Sequence, residues 1–194
     1  MKKLLLTSIA LVAWSSAAHA SNIPVLDTVT LVGSEFEFSY SGTLAGDTGL
    51  VAGNRLVIFD FGGYVDGSIS SGIYAADIDA FVELTSALLP PPGQTDDPTL
   101  VNLVFEWTGL PFNASGGPFP DVSFAGLSAR STNSTVVLDG YAATTQINNG
   151  AATGRPAFNS GEVGVPVPEP STAGLVLLGL VGAALRARRG HARA

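Results

Sequence analysis

The amino-acid sequence predicts an all-β protein. A single sandwich or jelly-roll-like domain spans residues 21–165, flanked by an N-terminal signal helix and a single C-terminal membrane helix. Two observations predict the β class. Apolar and polar residues alternate with a period of two in several short runs, as half-buried strands require. Glycine, proline, asparagine and aspartate recur between those runs at turn-like intervals. The chain has no cysteine, so packing and hydrogen bonds must hold the fold without disulfides.

The clearest strand is Ser34–Tyr40, with Phe36, Phe38 and Tyr40 on one face and Glu35, Glu37 and Ser39 on the other. Val101–Trp107 repeats the pattern through Val101, Leu103, Phe105 and Trp107, which places Trp107 in the core. Leu56–Phe61 is apolar on both faces except at Asp60, as expected of a central strand. Further strands are expected at Val25–Val32, Ser68–Tyr74, Ile78–Leu84, Val122–Leu127, Thr135–Leu138, Thr144–Ile147 and Glu162–Val167. The stretch Ala75–Leu89 also fits a helix through Ile78, Phe81, Val82 and Leu88, but its β-like neighbours favour the strand. Gly53-Asn54, Gly62-Gly63, Asp66-Gly67, Asp139-Gly140 and Asn148-Asn149-Gly150 read as turns, and Pro90–Pro98 and Gly109–Asp121 as loops. Many short strands with such punctuation suggest a sandwich.

The two ends have a different character. Lys2 and Lys3, an apolar run from Leu4 to Trp14 and the small residues Ala18-His19-Ala20 form the three-part layout of a secretory signal peptide, with cleavage expected after Ala20. At the other end, Pro168-Glu169-Pro170 is followed by an apolar run from Ala173 to Leu185 and by Arg186, Arg188, Arg189 and Arg193. Ala173, Leu175, Leu178, Leu180 and Leu185 belong to the expected membrane segment, and Arg186, Arg188 and Arg189 to its basic tail. At helical rise the run covers roughly 20 Å, short of the hydrocarbon core of about 30 Å. Arginine snorkelling narrows that gap, so a transient anchor is expected. The positive tail stays cytoplasmic, which leaves residues 21–170 outside the inner membrane.

The motif, the apolar stretch and the basic tail together resemble the PEP-CTERM sorting signal of Gram-negative bacteria, over Val165–Ala194. The resemblance implies that exosortase, a membrane-embedded processing enzyme, is a partner and that processing occurs near Pro168, Glu169 and Pro170. Catalysis there belongs to the exosortase.

Composition narrows what the middle of the chain does. Between Ser21 and Val165 three arginines stand against fifteen carboxylates, a net charge of −12, whereas the whole chain carries −7. Such a body repels phosphate backbones, so no nucleic acid is expected as a partner. It contains no Cys, Lys or His. This removes Ser–His–Asp and Cys–His catalysis, imidazole or thiolate zinc sites, and lysine chemistry. No catalytic residue, metal or cofactor is expected. Two carboxylate pairs, Asp77 with Asp79 and Asp96 with Asp97, are the candidates for glycoside chemistry or Ca²⁺ binding, against the simpler expectation of solvated acidic surface. Trp107, Tyr40, Tyr64, Tyr74 and Tyr141 are the candidates for stacking on sugar rings.

These features lead to the expectation of a non-enzymatic, exported bacterial protein, anchored transiently in the inner membrane and delivered to the cell surface or exopolysaccharide matrix. The alternative expectation is an exported polysaccharide-binding or polysaccharide-active protein that uses its carboxylates.

Overall fold

The computed structural model describes residues 22–167. The expected signal helix and membrane helix lie outside them. The described residues form nine strands: β1 Asn22–Val32, β2 Glu35–Leu44, β3 Thr48–Gly49, β4 Arg55–Phe61, β5 Ile78–Glu83, β6 Val101–Trp107, β7 Val122–Ser131, β8 Val136–Ile147 and β9 Pro156–Pro166. No α-helix occurs among them, so the described residues are all-β.

The strands make two sheets. The smaller has the order β1-β2-β7. In the larger, β5-β6-β4-β8 are neighbours, β9 pairs along β8, and β3 pairs with the end of β8. Every strand pair is antiparallel. The sheets meet through one apolar core. Phe38 and Tyr40 of β2 and Leu127 and Ala129 of β7 pack against Leu56, Ile58 and Phe61 of β4, Leu103 and Phe105 of β6, and Tyr141 and Ala143 of β8. Val163 and Val165 of β9 complete it. Phe38 and Phe61 meet edge-to-face at 5.5 Å, a geometry favoured by the ring quadrupoles. Tyr40 is fully buried, and its hydroxyl donates to the Gly164 carbonyl at 3.0 Å, so no polar atom is stranded. A second cluster lies on the opposite face of the large sheet, where Val57, Phe59, Val104 and Ala142 are covered by Phe81 and by Leu88 of the loop after β5.

A bulge in β4 decides which residues enter the core. Leu56 and Ile58 point inward, so strict alternation would send Asp60 inward and Phe61 outward. Instead the pairing shifts from Ile58↔Leu103 to Phe61↔Val101, inserting one extra residue. Asp60 takes φ +53°, a left-handed conformation that Asp and Asn tolerate better than other side chains. Phe61 is thereby returned to the core and the carboxylate is removed from it. A similar step in β7 leaves Gly126 unpaired at φ +87°, between Leu127↔Tyr40 and Ala125↔Ser41.

Four expectations are corrected. Ser68–Tyr74 is not a strand: it contains turns and one 3₁₀ turn, Gly72–Tyr74, and its β pairing with β7 is one isolated bridge, Ser70↔Ser128. Gly67 and Gly72, both at positive φ, interrupt the extended backbone there. Thr135–Leu138 and Thr144–Ile147 are parts of one strand, β8, and Asp139-Gly140 is not a turn but pairs with Val163 and Glu162. Gly140 serves close approach, since a Cβ there would run into Gln94, Pro91 and Phe59. The last strand begins at Pro156, well before Glu162. Trp107 lies on the predicted face but is only half-buried, because it is the last residue of β6 at an open end of the core. The ambiguous segment resolves as strand β5, with Ile78, Ala80 and Val82 toward the core.

Candidate functional site

Strand register defines two ends of the domain. One end carries Asn22, Leu44 and Val122 of the small sheet, linked by the pairs Asn22↔Leu44 and Leu44↔Val122. On the large sheet it carries Arg55↔Glu106, Ile78↔Trp107 and Gln146↔Pro156. The opposite end carries Val32↔Glu35, Phe61↔Val101 and Val136↔Pro166. The chain therefore enters at the first end and leaves at the second. The ten residue steps of β9 from Pro156 to Pro166 span about 33 Å at strand rise.

The first end holds a cavity of about 270 Å³ between the two sheets. Leu44, Val122 and Phe124 form its wall on the small sheet, and Leu56, Phe105 and Trp107 its wall on the large one. Tyr74 and Phe112, from loops, stand at its sides. Trp107 and Phe112 are in tilted ring contact at 6.1 Å, and the Trp107 indole N–H donates to the Leu110 carbonyl at 3.0 Å. Asp77 and Asn54 supply polar groups at the lining. Arg55 also borders the cavity, but its guanidinium is engaged with Glu106, stands 4.0 Å from Glu83 and lies 5.6 Å above the Phe81 ring.

Near the second end, polar bonds hold a loop against the outer face of the large sheet. The Asp60 N–H, freed by the bulge, donates to Asn102 Oδ1 at 3.0 Å. Asn102 is fully buried, and its Nδ2 donates to Asp96 Oδ1 at 3.0 Å. Asp96 Oδ2 accepts from the Ser86 N–H at 3.1 Å, and the Asp97 N–H donates to Asp60 Oδ1 at 2.9 Å. This network fastens the Leu84–Leu100 loop over the outer face of the large sheet. Burial pushes the Asp60 carboxyl up to about 6, opposed by the Asp97 N–H and reinforced by Asp139, Asp96 and Asp97. Burial also raises Asp139, with Glu162 adding to the rise. Asp97 goes the other way, held below its ordinary value by the N–H and hydroxyl of Thr99.

The sequence candidates are thus separated. Asp79 pairs across to Glu106, near the cavity end of β6, whereas Asp96 is bonded to Asn102 near its other end. Four residue steps of β6, about 13 Å, separate those anchor points, so the two candidate pairs stand near different ends of that strand. Among the described residues no group of three or more Asp, Glu, His or Cys side chains is placed to hold a metal ion. The tyrosines divide as well. Tyr40 and Tyr141 are core residues, Tyr141 accepting from Asn159 Nδ2 at 3.1 Å, and Tyr64 packs edge-to-face on Phe61. Only Tyr74 and Trp107 reach the cavity. Sequence reasoning missed Phe112, Phe124 and Asn102. The isolated Asp60 within an apolar strand was the one available sign of the polar network.

The sorting motif Pro168, Glu169 and Pro170, the membrane segment with Ala173, Leu175, Leu178, Leu180 and Leu185, and the tail residues Arg186, Arg188 and Arg189 lie outside the described residues. The last described residues fix where that segment begins. The Gly62 N–H donates to the Pro166 carbonyl at 2.9 Å, and the Val167 N–H to Thr135 at 3.0 Å, both at the end remote from the cavity. No curated protein and no solved structure matches the chain. Residues 166–189 match the family model of the PEP-CTERM protein-sorting motif. The chain carries, from residue 166 onward, a PEP-CTERM protein-sorting motif.

Proposed function

We propose that the chain is an exported bacterial protein whose β sandwich is a non-enzymatic cargo for the cell surface or exopolysaccharide matrix. The sorting-motif match carries this reading, because it implies exosortase-mediated sorting with membrane-associated processing. In this reading residues 1–20 act as a signal peptide and are removed. The segment Ala173–Leu185 then holds the protein transiently in the inner membrane, with the arginine tail on the cytoplasmic side. Exosortase releases the body near Pro168-Glu169-Pro170. The strongly acidic surface supports solubility and keeps the body off phosphate-rich polymers.

The test is the intact mass of protein recovered from producing cells, for the native chain and for one with Pro168, Glu169 and Pro170 all changed to alanine. The native protein should lack both ends. The variant should keep its arginine tail and accumulate in the membrane fraction. Unchanged processing and delivery of the variant would remove the motif from the mechanism.

A further inference from the structure

We infer that the cavity at the entry end of the β domain is a binding site for a neutral, apolar, ring-bearing small molecule of one or two fused rings. The inference stands on the cavity and does not depend on the sorting reading.

Size sets the upper bound on the ligand. An apolar cavity of about 150 Å³ stays dry and accepts benzene. The 270 Å³ found here admits a bicyclic molecule and is too small for most drug-sized ones. Wall chemistry sets the class. Phe105 and Trp107 on one side and Phe124 on the other present aromatic surface from both sheets, and Leu44, Leu56 and Val122 fill the space between. Offset and edge-to-face contacts with such rings favour a flat aromatic guest.

Charge sets the sign. Asp77 is the one acidic residue of the lining, while the guanidinium of Arg55 is held by Glu106 and Phe81. A sulfonate or carboxylate would meet an acidic lining with no free cation among its described residues. An amine or hydroxyl would find an acceptor. The cavity lies at the end of the domain away from Val167, the last described residue.

The test uses protein recovered from producing cells in detergent-free buffer, in a Trp14→Phe background. Trp107 is then the sole tryptophan, since the chain has only two. The probe is 1-aminonaphthalene, with 1-naphthalenesulfonate as its anionic counterpart. The amine should quench Trp107 saturably, with one site by calorimetry, and the sulfonate should bind at least tenfold more weakly. Val122→Phe, which occupies the space, should weaken the amine at least tenfold while the domain still melts cooperatively. Should that variant fail to fold, hydrogen exchange on the unsubstituted protein decides: the amine should protect β7 and residues 105–112. Absence of saturation, equal binding of the sulfonate, unchanged affinity in a folded Val122→Phe protein, or protection confined to the face around Leu88 and Phe158 would each overturn the inference.

Discussion

The two ends of the β domain solve the same problem in different ways. Apolar faces of a sheet, inward or outward, must be covered where the strands end. At the exit end the chain spends polar side chains: Asp60, Asn102 and Asp96 form a bonded network that clamps a long loop over the sheet. At the entry end large apolar residues from both sheets and from two loops approach without filling the space, and a cavity of about 270 Å³ remains. The difference teaches that burial alone does not determine closure. A polar network fixes one arrangement because each donor and acceptor must be matched, whereas apolar walls tolerate a gap at the cost of lost dispersion contacts.

The largest expected effect breaks the closed end. Asn102→Leu leaves the Asp60 N–H and one Asp96 oxygen without their partner inside a fully buried site. It should cost about 2–4 kcal/mol in chemical denaturation and raise hydrogen exchange across residues 84–100. A loss below about 1 kcal/mol would mean that the network is not what holds the loop.

An intermediate effect strikes the cavity end. A Cβ at Gly42 would collide with the Phe124 ring and the Ile23 carbonyl. Gly42→Ala should therefore cost about 1–3 kcal/mol by overpacking. If Phe124 swings into the open space beside it, the loss falls toward the lower end of that range, since the Ile23 carbonyl must still shift, and the probe affinity of the cavity falls as well. Measuring both quantities on one variant shows whether the cavity wall yields.

The smallest effect has the opposite sign. The folded Asp60 carboxyl titrates near 6, above its ordinary value of 3.8, so the folded state binds the proton more tightly than the unfolded one. Stability from this group is therefore full below pH 4 and is lost as pH rises from about 4 to 6. Asp60→Asn keeps an acceptor for the Asp97 N–H and tolerates the left-handed backbone. It removes the cost of ionisation. The shift corresponds to at most about 3 kcal/mol, and screening by solvent on the loop side reduces it, so the variant should gain about 1–2 kcal/mol at pH 7 and nothing near pH 4. A variant that destabilises equally at both pH values would show that the ionised carboxylate matters for reasons other than its burial.

Much of the sheet arrangement could be read from the chain. The alternations in Ser34–Tyr40 and Val101–Trp107 put Phe38, Tyr40, Leu103 and Phe105 on the core face, where the structure places them. Local rules failed where a residue type has two uses. Gly140 after Asp139 reads as a turn, yet it lies within β8 because the backbone there passes close to Phe59 and Gln94. The candidate sites were less legible. Asp77, Asp79, Asp96 and Asp97 are visible as carboxylates, but nothing in their spacing shows that Asp96 is bonded to Asn102 and Asp97 to Asp60, while Asp79 stands near the other end of the same strand.

By itself, then, the sequence determined the properties that are local or additive. These are the β class, the acidic cysteine-free body, and a C-terminal sorting motif recognisable from contiguous residues. Only the tertiary structure decided that the bulge at Asp60 exchanges a carboxylate for Phe61 in the core, and that Leu44, Trp107, Phe112 and Phe124 surround one cavity. The same structure placed that cavity and the start of the sorting motif at opposite ends of one long strand. The physical reason is that a strand's periodicity fixes only which face a side chain occupies. Register between strands distant in sequence fixes which side chains become neighbours, and that is a property of the assembled sheets.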